Sequence, residues 1–412
     1  MKIAIISNFY PPYYIGGYEL FCQKVAEGLR RKGHQVFVAT SYYGLKKPKI
    51  EDNIWRIFGP PILLHSAATF RDFLYTIVDF LRRCFFELRD SKKCAEFLSS
   101  INPDVIYLWN TKKIALSILE VCSKSRLPIF YYVFDHHLVE PGRWLNFWTK
   151  NNLIIRFLAN CLNVAGIRTK PVQLKITSLH FATHFLKKAT EHRSIKGTKI
   201  ISSKVIYCGL ETDKFPFCQE NFNFPNQILF VGQIVRHKGV HTVIEAMDIL
   251  INKKNRKEFN LAIIGPIVDK SYYLFLQKLI KKNNLVNKVK FVGQVEHKEM
   301  TNIYRNHGLL IFPSIWDEPF GITILEAMAS GLVVIATGTG GSAEIVKDGK
   351  NALIFPKENA KKCAECILMA QNPELRYQLR QQARKDVENY FNFSKTINQI
   401  NQDLQQIITY NS

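Results

Sequence analysis

No apolar run in this chain approaches the roughly 18 uninterrupted residues that read as a membrane-spanning helix. A secretory leader is also missing: Met1-Lys2 opens into a short apolar run, Ile3 to Ile6, which Ser7 and Asn8 end. Acidic residues are scarce, 34 against 56 Lys and Arg, leaving a formal net charge of +22. The nine cysteines are odd in number and scattered from Cys22 to Cys366, so they make no disulfide framework. A single CxxC pair occurs, Cys363 and Cys366, inside a helix-like run; without a second pair its reading is helix packing. On these absences neither a disulfide-stapled secreted module nor a membrane-spanning helix is expected. They imply a reducing compartment, and the expected location is cytoplasmic, at most peripheral on the inner face of the cell membrane.

What is present is an ordinary globular composition, 47% hydrophobic and 22% charged, over 412 residues, which is enough for two or three domains. The positive surplus implies an anionic partner. Nucleic acid, an anionic membrane surface and a phosphorylated substrate all meet that condition.

Residues 1–40 read as strand, loop, helix, strand. Ile3 to Ile6 is the strand, NFYPPYYIGG a loop that Pro11 and Pro12 keep from being helical, and Tyr18 to Lys32 a helix stopped by Gly33. This is the opening of a doubly wound sheet. Gly16 and Gly17 stand where the chain turns into the helix, either as a tight turn or as a place where N–H groups face an anion. From Phe70 to Leu88 apolar residues recur at helical spacing beside Arg71, Arg82, Arg83 and Arg89. That helix either lies on an anionic membrane or packs in the domain with its charged side in water. Asp135, His136 and His137 follow a strand, at the carboxyl end where open α/β sheets bind ligands. The aromatics from Trp144 to Trp148 suit an interface or the interior. His180 and His184, four apart with no third ligand, read as surface histidines.

Gly209, Pro216 and the run to Pro225 mark a domain boundary. The expected division is 1–210, 211–392 and a tail helix, 393–412, that crosses back to the first domain. A second doubly wound unit begins at Gln227, with Arg236 and Lys238 in the loop after its first strand. The expected fold class is therefore α/β, two Rossmann-like domains facing an interdomain cleft.

The most informative stretch is FPSIWDEPFGITILEAMASGL, Phe312 to Leu332. Glu318 and Glu326 would lie about 12 Å apart if both were helical, wider than the roughly 5 to 9.5 Å of glycosidase acid pairs. The spacing suits two acceptors gripping hydroxyls at opposite ends of an elongated ligand. Between them Phe320, Gly321, Ile322 and Thr323 form a helix N-terminus that favours a phosphate. A sugar joined through a diphosphate to a ribose matches that order, with Arg236 and Lys238 meeting the diphosphate. The plainer alternative is two glutamates at a helix start and interior, one offsetting the helix dipole.

EPFGITILEAMASGLVVIATGTGGSAEIV resembles the signature of retaining glycosyltransferase family 4, of GT-B fold: Glu, seven residues, Glu, a small-residue helix and a GGxxE turn. GQIVRHKGV is similar to that family's diphosphate loop, and FYPPYYIGG to its N-terminal glycine loop. The resemblance implies that Glu318 and the Phe320-Gly321 amides hold the transferred sugar and Glu326 the ribose. Arg236 and Lys238 would bind the diphosphate, with Gly16 and Gly17 closing from the other domain. It further implies retention without a metal or cofactor, the donor being a UDP-, GDP- or ADP-sugar and the acceptor a glycan or polyprenyl-linked lipid, with no nucleic acid. Gln233 and Phe134 stand where the family commonly has Arg and His, so Arg236 is the candidate to replace the first and Asp135 or His136 the second. Those departures also motivate the alternative of a nucleotide-sugar-binding protein without transferase activity.

Overall fold

The computed structural model describes residues 1–60, 70–112, 114–135, 148, 153–191 and 198–411. The chain divides into two units, Met1–Ile206 with Ile397–Ser412, and Tyr207–Thr396.

The first unit is built on eight strands: β1 (Lys2–Ile6), β2 (Gln35–Ser41), β3 (Lys49–Glu51), β4 (Ile54–Phe58), β5 (Val105–Leu108), β6 (Ile129–Val133), β7 (Lys175–Phe181) and β8 (Lys199–Val205). Their order in the sheet is β3-β4-β2-β1-β5-β6-β7-β8. All pairings are parallel except β3 with β4. A parallel sheet is covered on both faces, so its central strands are apolar throughout rather than alternating. Ile3 to Ile6 are accordingly fully buried. The chain winds outward from β1 through β2 and β4, then returns to β1's other side as β5. The crevice therefore opens at the carboxyl ends of β1 and β5.

The helix Gly17–Arg31 buries Phe21, Val25 and Leu29 and is terminated by Gly33, whose φ of +86° suits a residue without a side chain. The helix expected from Phe70 runs on to Ile101. His180 corrects an expectation: it lies in β7 and is fully buried rather than at the surface. Trp148 is also buried, packed beside Phe80.

The second unit holds six parallel strands, β9 (Gln227–Val231), β10 (Asn260–Ile264), β11 (Val289–Gly293), β12 (Leu309–Phe312), β13 (Val333–Ala336) and β14 (Leu353–Ile354), in the order β11-β10-β9-β12-β13-β14. Strand order reverses between β9 and β12, which places this unit's crevice at Val231 and Phe312. Cys363 and Cys366 face the core from the helix Ala360–Met369. Burial pushes the Cys366 thiol up to about 11 and that of Cys363 higher still, as packing residues rather than reactive ones. All nine cysteines are free thiols.

Candidate active site

At the carboxyl end of β9 the chain turns through Arg236–Lys238 in one 3-10 turn and leaves it at Gly239. Gly239 has a left-handed φ of +71°, and a Cβ there would stand 2.0 Å from the Pro313 carbonyl oxygen. Only glycine lets the turn lie against the exit of β12. The contact is fixed by the His237 carbonyl, which accepts from the Ile315 N–H at 2.9 Å and the Ser314 hydroxyl at 3.2 Å. Lys238 is thereby delivered to Glu318: its ammonium donates to Oε1 at 2.7 Å.

Glu318 is only 4% exposed, a costly position for a carboxylate unless donors surround it. Besides Lys238, its Oε1 accepts from the Ser314 hydroxyl at 2.6 Å and the Trp316 indole N–H at 2.8 Å. Its backbone is gripped as well. The Gly341 N–H donates to the Glu318 carbonyl at 2.6 Å, and the Thr339 hydroxyl donates to the Trp316 carbonyl at 2.8 Å. The glycines of the GGxxE turn therefore serve close backbone approach. Glu344, the turn's acid, accepts from the Tyr207 hydroxyl at 2.9 Å.

The helix Ile322–Ser330 begins four residues after Glu318, so Glu326 is helical and Glu318 lies in the turn before it. Phe320 is buried, its ring near those of Tyr207 and Phe391, so what it offers a ligand is backbone. Gly321, at φ +133°, turns the chain into the helix, and Ile322 and Thr323 form a half-exposed first turn. Glu326 is 3% exposed; its Oε2 accepts from the Tyr304 hydroxyl at 2.8 Å and its Oε1 from His297 Nε2 at 2.9 Å. Burial first, then the Glu326 charge, pushes the Tyr304 phenol well above its ordinary value, which keeps it a donor. Arg236 is exposed in the same turn as Lys238. Burial, then the Lys238 charge, lowers the pKa of His237, whose ring stands 5.0 Å from that of Trp316.

Lys238, Arg236, Glu318, Phe320, Gly321, Ile322, Thr323 and Glu326 thus all belong to the second unit. Gly16 and Gly17 belong to the first, at the crevice between β1 and β5. There the Gly16 N–H donates to Glu19 Oε2 at 3.0 Å, and Asn110 Nδ2 donates to Glu19 Oε1 at 3.2 Å. Burial pushes the Glu19 carboxyl up, against the pull of the Gly16 hydrogen bond. An aromatic wall lies beside it: Trp109 and Tyr132 stack at 4.8 Å, and Phe134 stands 5.3 Å from Tyr18. His136 lies outside the described residues. Among the described residues no group of three His, Cys, Asp or Glu side chains comes together as a metal site.

Ser314, Trp316, His297, Tyr304, Glu19 and Asn110 are not singled out by sequence pattern. Glu19 has a readable signal, an acid three residues after the glycine that precedes a helix. His297 and Tyr304 have none.

Residues 212–386 match the family model described as glycosyl transferases group 1. An uncharacterized glycosyltransferase of Methanocaldococcus jannaschii is 28% identical over 372 residues, covering 87% of this chain and 86% of that one. Among solved structures, a sucrose-phosphate synthase from Thermosynechococcus elongatus aligns with a TM-score of 0.70 at 18% identity, covering 99% of both chains. Anabaena HepE, solved in complex with UDP and glucose, aligns with a TM-score of 0.69 at 19% identity over 98% of this chain and 99% of that one. The fold is that of GT-B glycosyltransferases, and residues 212–386, within the second unit, are similar to the group 1 glycosyl transferases.

Proposed function

We propose that the protein moves a hexose-type sugar, with retention of configuration, from a nucleoside-diphosphate sugar to a glycan or lipid-linked acceptor at the cytoplasmic face of a membrane. The observation that carries the reading is the 2.7 Å pair of Lys238 with the buried Glu318, at the crevice of a parallel sheet and beside a helix N-terminus. An ammonium has three N–H groups and Glu318 uses one, so the others can meet diphosphate oxygens. Arg236 joins it from the same turn. Negative charge grows on the diphosphate as it departs, so both cations favour the transition state over the ground state. Glu318 accepts hydroxyls of the transferred sugar, with the amides of Phe320 to Thr323 beside it. Glu326 accepts those of the ribose. Gly16 and Gly17 form an anion-facing turn in the first unit, and His136 is assigned to the acceptor side.

The proposed step is front-face attack. The acceptor oxygen bonds to the anomeric carbon, the bond to phosphate oxygen breaks with its electron pair leaving on the diphosphate, and a donor phosphate oxygen takes the acceptor's proton. The two cations supply the positive charge, so no metal is required. That HepE was solved with UDP and glucose supports a nucleotide donor. A panel of UDP-, GDP- and ADP-sugars, scored by thermal shift and then by nucleoside-diphosphate release, identifies which.

Glu318→Gln and Lys238→Ala are each expected to lower transfer at least about tenfold, some 1.4 kcal/mol of barrier. Unchanged turnover in both variants would sink the assignment. Gln233 and Phe134 favour a second reading, a nucleotide-sugar-binding protein that does not transfer. Its signature is stabilisation by a nucleotide sugar with no release of nucleoside diphosphate for any acceptor.

A further inference from the structure

The helix from Phe70 turns part of its apolar stripe outward. Leu81, Phe85 and Leu88 are 60%, 59% and 42% exposed, on one face at helical spacing. A second helix of the same unit, Leu153–Val164, does likewise: Leu153, Phe157 and Val164 are 82%, 69% and 91% exposed. The two stripes are neighbours. A Cβ on Gly166, just past the second helix, would lie 3.2 Å from Leu88, and both helices contribute to one small core around Trp148 and Ala159. Their inward positions are already filled by that core, so the outward apolar residues are surplus to the packing of the unit.

The exposed charges on the first helix between Val78 and Lys92, and those on the second helix, are of one sign. Arg82 and Lys92 are exposed on the first helix and Arg156 on the second. The acids of the first helix between Val78 and Lys92 are turned away from water: Glu87 and Asp90 are buried and the Asp79 side chain is 15% exposed. The second helix has no acid at all. An apolar face whose two helices expose cations and no acid over these spans is matched by the boundary between acyl chains and anionic headgroups. It is poorly matched by a second copy of itself, since a two-fold contact would set the same cations opposite one another in a chain of net charge +22. No described helix is long and apolar enough to cross a membrane, so the mode is interfacial.

We propose that the Leu81, Phe85, Phe157 face of the first unit docks on an anionic bilayer. The inference deepens the membrane part of the function proposed above, and its test requires no sugar transfer, so the two fail separately. Full-length protein is floated with vesicles of phosphatidylcholine alone and of phosphatidylcholine mixed with phosphatidylglycerol, and its mass in solution is measured. The expected result is flotation with the mixed vesicles only. Arg82→Gln with Arg156→Gln should weaken it on the order of 30-fold. Phe85→Ser with Phe157→Ser should abolish it, with an unchanged circular dichroism spectrum and cooperative thermal unfolding as the check on folding. Three results would overturn the proposal: no flotation with either vesicle, flotation indifferent to both pairs of substitutions, or a dimer that the Phe85→Ser, Phe157→Ser variant converts to monomer.

Discussion

Gly340 holds a left-handed φ of +59°, and a Cβ on it would come within 2.5 Å of the Glu318 carbonyl oxygen. Gly349 has a similar φ of +66°, but a Cβ there would meet nothing within 4 Å. Comparing the two separates backbone strain from steric contact. Gly349→Ala is expected to cost about 1 to 2 kcal/mol for the left-handed conformation alone. Gly340→Ala should cost more, about 3 kcal/mol or above, because it adds a clash with rigid backbone. Since that backbone belongs to Glu318, Gly340→Ala should also weaken nucleotide-sugar binding, which Gly349→Ala should leave unchanged. Urea unfolding and thermal shift with donor measure both effects, and equal losses would refute the clasp. The spacing of Glu318 and Glu326 is visible in the sequence, but their surroundings only in part. Ser314 and Trp316 lie within four residues of Glu318 and travel with it. Lys238 reaches it across 80 residues, and is legible because positive charge after a first strand has a chemical reading. His297 reaches Glu326 across 29 residues, and an isolated histidine at the start of a short 3-10 turn carries no such signal.

Strand β7 and the C-terminal helix Phe393–Asn411 are joined by a buried polar link that periodicity does not reveal. The helical spacing of Ile397, Ile400 and Leu404 is legible, and all three are buried. Asp403 shares their face, and its partner His180 is 223 residues away in the chain. The strand that holds His180 is buried along most of its length, whereas a histidine considered by spacing alone reads as a surface residue. His180 Nε2 donates to Asp403 at 2.7 Å, because a carboxylate only accepts; Nδ1 then accepts from the Tyr107 hydroxyl at 2.8 Å. Burial lowers the His180 pKa, outweighing the opposite pull of Asp403, so the folded ring is neutral. Burial alone would raise Asp403, but its hydrogen bonds from His180 and Lys204 hold it well below the usual carboxylate range. Asp403→Ala is expected to cost about 2 to 3 kcal/mol, because it leaves the buried His180 N–H without its acceptor, read as faster amide exchange over residues 397–404. Acid should act in the same direction. As pH falls below the ordinary histidine value of 6.5, the unfolded chain takes up a proton that the buried ring does not, so stability falls. Burial also lowers His237, His241 and His307, which reinforces the trend. Stability that rises as pH is taken from 6.5 down to 5 would rule out a neutral His180.

At the scale of the whole molecule, alternation of strand and helix makes both parallel sheets legible, since it follows from local pattern and chain order. The outward turn of apolar stripes is not, because helical periodicity identifies a face without saying what covers it. Net charge is legible at once, and its consequence is energetic. A surplus of 22 cations repels itself in the compact state, while exposed ion pairs return only about 0 to 1 kcal/mol each. Salt screens both effects, with a Debye length of about 10 Å at 0.1 M. Repulsion summed over the surplus should exceed the lost attraction, so the melting temperature is expected to rise by several degrees between about 10 mM and 150 mM sodium chloride. A fall would mean that attractive pairs dominate. The same titration separates the anionic partners that charge alone leaves open. Binding to a nucleic acid through released counterions weakens steeply with salt, by orders of magnitude over this range. A nucleotide sugar held as proposed, by Lys238, by buried Glu318 and Glu326 and by backbone amides, would be screened far less. Its thermal stabilisation should therefore persist at about 150 mM, where non-specific binding to nucleic acid has been lost.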